Sequence, residues 1–271
     1  MPTLVRDLMH PEIYTCRPDL PLGEVAKILA DHHIHAVFVT NDGEMPAGVI
    51  TDYDVLAGEW LSGDPESLNI MRSMTAGELM SSPVETVDPD CPVNEAASRM
   101  RQGHGFRRLL VVEEGRPVGV ISVSDFISEL ASRSTLKRGK VGDVMSDAFL
   151  VCREKTPVAA AARAMSDTGW RSVVVVNAHG KPLGIFSGLD FLNCCDPDKI
   201  SDEILIVDVM HPALTIAIDA TLQEAVDLMV VNHHHRILVI DPTHEDSVPL
   251  GVISSFDIVQ EMARPDSVWQ S

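Results

Sequence analysis

Two short phrases recur four times along the chain in one register, and this repetition constrains the fold more than any other feature. The first phrase ends in a methionine, at Met9, Met80, Met145 and Met210. The second runs from glycine through an apolar strand to a hydroxyl residue and, three positions later, an aspartate. These pairs are Thr51 and Asp54, Ser122 and Asp125, Ser187 and Asp190, and Ser254 and Asp257. Both phrases repeat at intervals of 65 to 71 residues, a period longer than that of most solenoids, which predicts four small subdomains.

Each copy has the same order of predicted elements. A short apolar stretch and a turn precede an amphipathic helix, which in the fourth copy has apolar residues at 222, 225, 226, 229 and 230. Thr221 and Glu224 form a capping-box pattern at its start. A continuous apolar run, such as residues 173–176, then predicts a buried strand, and the glycine phrase predicts a second strand that leads into a last helix. The order β-α-β-β-α predicts an α/β (α+β) fold with helices against small sheets.

Composition limits the environment and the partners. The 271 residues predict about two domains, at roughly 150 residues each. The formal charge of −19 argues against binding to nucleic acid or to an anionic membrane through the overall field. The five cysteines are odd in number and show no paired motif, which favours a reducing, cytoplasmic location. The start lacks a basic segment before an apolar core, and no apolar run is long enough for a membrane span, so neither a secretory signal nor a membrane anchor is expected.

The recurring phrases resemble those of CBS domains, two of which pair into a Bateman module. The resemblance covers residues 5–263 and implies four CBS repeats. Module 1 is expected at residues 1–135, with repeats at about 5–60 and 76–131, and module 2 at residues 136–271, with repeats at about 141–195 and 206–263. The polar, basic linker at residues 132–140 is the predicted boundary. The two modules are expected to form a disc within one chain or to pair with their counterparts in a homodimer.

The four hydroxyl–carboxylate pairs are the first candidate sites. Capping of the following helix explains such a pair at any one junction. An aspartate at the end of a strand also accepts hydrogen bonds from a ribose diol. The resemblance implies that all eight residues contact ribose: Thr51, Asp54, Ser122, Asp125, Ser187, Asp190, Ser254 and Asp257.

Basic residues before each apolar strand are the second candidate site, because arginine binds phosphate through paired hydrogen bonds. The resemblance implies two phosphate-binding groups, of which the first is His35, Arg107 and Arg108 and the second is Arg171, His235 and Arg236. A solvated face is the plain alternative. The apolar residues that directly precede three of these positions either line a purine slot or belong to the core. They are Ile34, Phe106 and Trp170.

Other chemistry finds less support in the sequence. The histidine runs at residues 32–35 and 233–235 invite a metal site, but adjacent side chains at a helix end point in different directions, so no metal is expected. No nucleophile elbow, phosphate-binding loop or zinc-protease motif occurs, which argues against an enzyme, and no catalytic cofactor is expected.

The sequence therefore predicts a stand-alone regulatory protein that binds an adenosine nucleotide, AMP, ADP or ATP, in clefts between paired repeats. Binding would be transmitted to an unidentified regulated protein by a change of conformation or assembly. The first alternative is a structural or assembly scaffold with vestigial ligand sites. A sensor of S-adenosylmethionine and a metal-binding protein are further alternatives.

Overall fold

The computed structural model describes residues 3–41, 45–60, 73–102, 106–133, 139–194, 204–243 and 248–264. The expected module boundary between residues 135 and 136 lies outside these residues. Residues 134–138 of the predicted linker also lie outside them.

The elements of the first two repeats follow the predicted order. Repeat 1 contains α1 (Val5–Leu8), β1 (Thr15–Cys16), α2 (Leu22–Asp31), β2 (Ala36–Val39), β3 (Gly48–Thr51) and α3 (Asp52–Trp60). Repeat 2 contains α4 (Ala76–Leu79), β4 (Thr86–Val87), α5 (Val93–Gln102), β5 (Arg108–Glu113), β6 (Arg116–Ser122) and α6 (Val123–Arg133).

The last two repeats have the same plan, with a 3-10 turn in place of the first short helix of repeat 4. Repeat 3 contains α7 (Val141–Val144), β7 (Leu150–Arg153), α8 (Val158–Thr168), β8 (Ser172–Val176), β9 (Pro182–Ser187) and α9 (Gly188–Cys194). Repeat 4 contains the turn (Ile206–Asp208), β10 (His211–Pro212), β11 (Thr215–Ala217), α10 (Leu222–Asn232), β12 (Arg236–Ile240), β13 (Gly251–Ser254) and α11 (Ser255–Met262). The predicted β-α-β-β-α order is confirmed.

Helical spacing of apolar residues buries one face of each main helix. The helix α10 buries four of its five predicted apolar positions, 222, 225, 226 and 229, and Val230 is half-buried. The Thr221 side chain accepts a hydrogen bond from the Glu224 amide, so the predicted capping box is present. The apolar strands β5, β8 and β12 are each buried at three or four consecutive positions.

Each repeat builds a small mixed sheet from its own three strands. The first strand pairs in parallel with the second, and the second pairs antiparallel with the third, as in β11–β12 and β12–β13. The central strand is the one with the continuous apolar run, and it lies between two neighbours, away from the sheet edge. The two parallel strands are joined by the main helix of the repeat, which packs on the sheet.

Consecutive repeats exchange their leading segments. His10, which precedes the first strand of repeat 1, forms a backbone bridge with Val120 of repeat 2, and Ser81 of repeat 2 bridges Val49 of repeat 1. The later repeats do the same, since Ser146 bridges Val252 and β10 pairs antiparallel with β9. The third strand of every sheet is thus covered by a segment of the neighbouring repeat in the chain.

The chain divides into two compact units that interleave along the sequence. Unit 1 comprises residues 1–13, 85–148 and 214–271, and unit 2 comprises residues 14–84 and 149–213. Alternate repeats therefore share a unit, repeats 2 and 4 in the first and repeats 1 and 3 in the second. The expected modules of consecutive repeats stay a prediction, although the exchange of leading segments links the same consecutive pairs.

The cores of both units join alternate repeats. In unit 1, Val5, Met100, Leu109 and Ile237 belong to one buried cluster. In unit 2, Leu56 of repeat 1 is fully buried against α8 of repeat 3. Within the described part of the chain, no helix is long and apolar enough to cross a membrane.

Candidate functional site

Four strand-to-helix junctions share one hydrogen-bond pattern. At each junction the strand ends at a serine or threonine, which is the N-cap, and the aspartate is the third residue of the helix. One carboxylate oxygen, Oδ2, accepts hydrogen bonds from the backbone amide and from the hydroxyl of the N-cap residue. The eight distances are between 2.6 and 2.8 Å. Capping therefore occupies Oδ2 in all four repeats and fixes the carboxylate.

Two of the four carboxylates are also bound through Oδ1. The Nε2 atom of His10 lies 2.8 Å from Oδ1 of Asp125, and Nε2 of His211 lies 2.5 Å from Oδ1 of Asp190. Each histidine belongs to the leading segment that the neighbouring repeat contributes. Asp125 and Asp190 are buried, with 7% and 4% relative exposure. A ribose diol would find both oxygens of these two carboxylates engaged.

The other two carboxylates are more open. Asp54 and Asp257 are half-buried, and their Oδ1 atoms have no partner among the described residues. Serines, Ser81 and Ser146, stand at the positions that the histidines occupy in the other two junctions. Oδ1 of Asp54 and of Asp257 is thus available to accept a hydrogen bond.

An arginine approaches each open junction from the alternate repeat. The guanidinium carbon of Arg171 lies 5.0 Å from the ring centroid of Tyr53, the residue before Asp54. The guanidinium carbon of Arg107 lies 4.8 Å from the ring of Phe256, the residue before Asp257. Stacking on an aromatic ring orients a guanidinium and leaves its edge for an anion.

Charge at the Tyr53 ring shows how close these groups are. Burial raises the pKa of the Tyr53 hydroxyl, the Arg171 guanidinium lowers it and the Asp54 carboxylate raises it again. A cation and a carboxylate therefore act on the same aromatic side chain. The junction thus has a hydrogen-bond acceptor and a cation near one aromatic ring.

The remaining predicted phosphate residues lie at the starts of strands. His35 Nδ1 is 3.0 Å from Asp52 Oδ2 within repeat 1. The His235 carbonyl accepts a hydrogen bond from the Ser255 amide at 3.0 Å. Arg108 and Arg236 are the first residues of β5 and β12 and are half-buried. The expected groups of His35 with the repeat 2 arginines, and of Arg171 with the repeat 4 residues, stay predictions.

The three predicted base-lining residues differ in their surroundings. Ile34 packs on the core of unit 2, and Phe106 packs on the core of unit 1. Trp170 is exposed, at 37%. The core interpretation thus describes Ile34 and Phe106, and a purine slot at any of the three stays a prediction.

Sequence reasoning missed the histidines that contact the aspartates and the aromatic residues under the arginines. His10 and His211 directly follow the repeated methionine, so an alignment of the four copies places them together. Tyr53 and Phe256 likewise share one position, directly before an aspartate. Both signals are visible in the sequence, but nothing local shows which side chains they meet.

Two histidines of the runs lie at helix ends, and burial shifts the pKa of two cysteine thiols. His33 and His233 adopt positive φ angles of 51° and 54°, in the left-handed region where helices end. The described residues contain no group of three histidines, cysteines or carboxylates placed to hold a metal ion. Burial raises the pKa of the Cys16 and Cys152 thiols to about 11.

Comparison with known proteins identifies the fold that carries these junctions. Four segments match the CBS domain, at residues 5–59, 76–132, 141–195 and 206–264. The chain therefore belongs to the CBS domain family, and its four repeats fit two Bateman modules.

Two relatives among curated proteins are themselves described as uncharacterized. A protein of Methanocaldococcus jannaschii is 30% identical over 202 residues, which are 73% of this chain and 46% of that protein. A protein of Methanopyrus kandleri is 30% identical over 124 residues, which are 45% of this chain and 60% of that protein. The chain thus spans about half the length of these two relatives.

Solved structures confirm the fold over nearly the whole chain. A second M. jannaschii protein, proposed as an archaeal homologue of γ-AMPK, matches with a TM-score of 0.81 at 18% identity, covering 95% of this chain and 99% of that one. A conserved protein of Pyrococcus horikoshii matches with a TM-score of 0.67 at 19% identity, covering 96% of this chain and 100% of that one. At these identities the likeness shows the fold alone.

Proposed function

We propose that this protein is a regulator that binds an adenosine nucleotide, AMP, ADP or ATP, at the junctions of Asp54 and Asp257. The observation that carries this proposal is the carboxylate itself. Capping holds Oδ2 in place while Oδ1 has no partner among the described residues. A fixed carboxylate with a free oxygen suits a ribose diol, which presents two hydroxyl donors.

The arginines supply the second half of the recognition. Arg171 and Arg107 stack on the aromatic rings of the residues that precede the two open carboxylates. On a chain of net charge −19, a nucleotide phosphate needs local cations, and arginine keeps its charge and donates paired hydrogen bonds. The wider phosphate groups expected from His35, Arg108, His235 and Arg236 belong to the same proposal.

Binding, rather than catalysis, is the proposed role. The site combines a capping carboxylate and a stacked arginine, and it pairs no nucleophile with a base. A ligand shifts a conformational equilibrium only by its difference in affinity for the two states. The signal to a regulated partner, by a change of conformation or assembly, follows from such a difference. A cytoplasmic location, where free thiols and free nucleotides coexist, is part of this proposal.

Isothermal titration calorimetry with AMP, ADP, ATP, GTP and S-adenosylmethionine tests the ligand class. Replacing Asp54 and Asp257 by alanine removes the ribose acceptor, and binding is expected to weaken at least about 100-fold because hydrogen bonds to a charged group are lost. The matched control is the pair Glu78→Ala and Glu224→Ala, which removes two capping boxes of the same chemistry away from the junctions.

Each outcome assigns a role. The proposal is supported if the adenine nucleotides give a heat of binding that disappears in the aspartate variant and persists in the glutamate control. Heat with S-adenosylmethionine only indicates a sensor of that ligand. An absence of binding at millimolar concentration of every ligand contradicts the proposal and leaves a scaffold role.

A further inference from the structure

The four junctions fall into two classes. Each exchanged leading segment places one residue against the strand position two before the N-cap hydroxyl. At the junctions of repeats 1 and 4 the residue contributed by the neighbouring repeat is a serine, Ser81 or Ser146. At the junctions of repeats 2 and 3 it is a histidine, His10 or His211. The class with serine has the half-buried carboxylates, and the class with histidine has the buried ones.

The same division appears in the neighbouring residues. An aromatic ring that carries an arginine precedes Asp54 and Asp257. Ser124 and Leu189 precede the other two aspartates, so the histidine class lacks this ring. Two independent features, one on the exchanged segment and one on the helix, therefore separate repeats 1 and 4 from repeats 2 and 3.

We infer that His10 and His211 are gate residues that compete with ribose for Asp125 and Asp190. This inference rests on the proposed function, and it assigns the first two nucleotides to Asp54 and Asp257. The competition is direct, because Nε2 of each histidine lies on Oδ1, the one carboxylate oxygen that capping leaves over.

The histidine contact is a displaceable gate rather than part of the core. The side chains of His10 and His211 are 73% and 56% exposed. The side chains of Asp125 and Asp190 beneath them, taken without their backbone, are only 7% and 3% exposed. An exposed ring over a buried acceptor can rotate into water without opening the core. The neighbouring repeat thus supplies a side chain that sets the affinity of the junction.

Exchanging the gate residues between the two classes tests the inference. Calorimetry with AMP is expected to find two sites in the natural protein. The double variant His10→Ser and His211→Ser is expected to bind two further AMP molecules, with affinity raised about 10- to 100-fold at those junctions, the range for a hydrogen bond to a charged group. The reverse variant, Ser81→His and Ser146→His, is expected to bind AMP at the Asp54 and Asp257 junctions with an affinity lowered by a similar factor.

The outcomes separate the inference from the proposed function. Four equivalent sites in the natural protein, or two sites in the His10→Ser and His211→Ser variant, overturn the gate and leave the proposed function standing. No binding by any of the three proteins overturns both. If the first variant fails to fold by circular dichroism, the reverse variant decides, since its unchanged binding of two AMP molecules would also overturn the gate.

Discussion

Gly119 lies where the exchanged segment of repeat 1 crosses the third strand of repeat 2, and its replacement by alanine tests that crossing. A Cβ atom on Gly119 would lie 2.6 Å from the carbonyl oxygen of His10 and 3.1 Å from the Met9 sulfur. The same carbonyl accepts a hydrogen bond from the Val120 amide at 2.8 Å. The alanine methyl must therefore displace backbone that is already hydrogen-bonded.

The expected cost follows from two effects. Overpacking a close contact costs about 1–3 kcal/mol, and a weakened backbone hydrogen bond adds about 1 kcal/mol. We expect Gly119→Ala to lower the free energy of unfolding by about 3 kcal/mol, or to lower the melting temperature by about 6–12 °C at roughly 2–4 °C per kcal/mol. Hydrogen exchange at the Val120 amide should become faster in the same variant.

Differential scanning calorimetry measures the effect, and Gly23→Ala is the matched control. Gly23 lies in α2, and a Cβ atom there has nothing within 4 Å. The control is expected to keep its stability or gain up to about 1 kcal/mol, because alanine favours the helix. A Gly119→Ala melting temperature within 1 °C (about 0.3–0.5 kcal/mol) of the natural protein would refute the crossing as described.

Three further predictions address the core, a cap and the thiols. Leu56→Ala, in the core that joins repeats 1 and 3, is expected to cost about 2–5 kcal/mol by chemical denaturation, whereas the 76% exposed Val231→Ala should change nothing measurable. Thr221→Ala removes the α10 cap and is expected to cost about 1 kcal/mol in the same assay; an unchanged midpoint contradicts this role. Burial raises the pKa of Cys16 and Cys152 from 9.0 to about 11, so the folded state disfavours thiolate and stability should fall as pH rises through that range. Serine at both positions should flatten this pH profile.

The sequence predicts the repeating fold because its signals are local. Apolar spacing, β-branched runs and the Thr221 capping box each act within about ten residues, and all reappear in the structure. The exchange of leading segments is not local, since the bridged residues are 32 positions apart for Val49 and Ser81 and 110 positions apart for His10 and Val120. The glycine of the repeated phrase is the sequence feature that marks this exchange, because glycine allows the close approach of the exchanged backbone.

The candidate site was predicted in part for the same reason. The pairing of each N-cap hydroxyl with its aspartate follows from a three-residue spacing, and all four pairs are formed. The contacts that distinguish the junctions depend on tertiary packing. Examples are His10 on Asp125 and Arg171 on the Tyr53 ring. Periodicity marks such residues as equivalent but leaves their contacts open.

The interleaving of the two units has a consequence for synthesis of the chain. Because unit 2 contains residues 149–213 and unit 1 contains residues 214–271, neither unit is complete until most of the polypeptide has left the ribosome. Until then, buried faces of the early repeats lack their partners, as Leu56 of repeat 1 lacks α8 of repeat 3, and exposed apolar surface promotes aggregation. We therefore expect truncated products to aggregate, and chaperones that bind exposed apolar surface to favour nascent chains of this protein over the finished molecule.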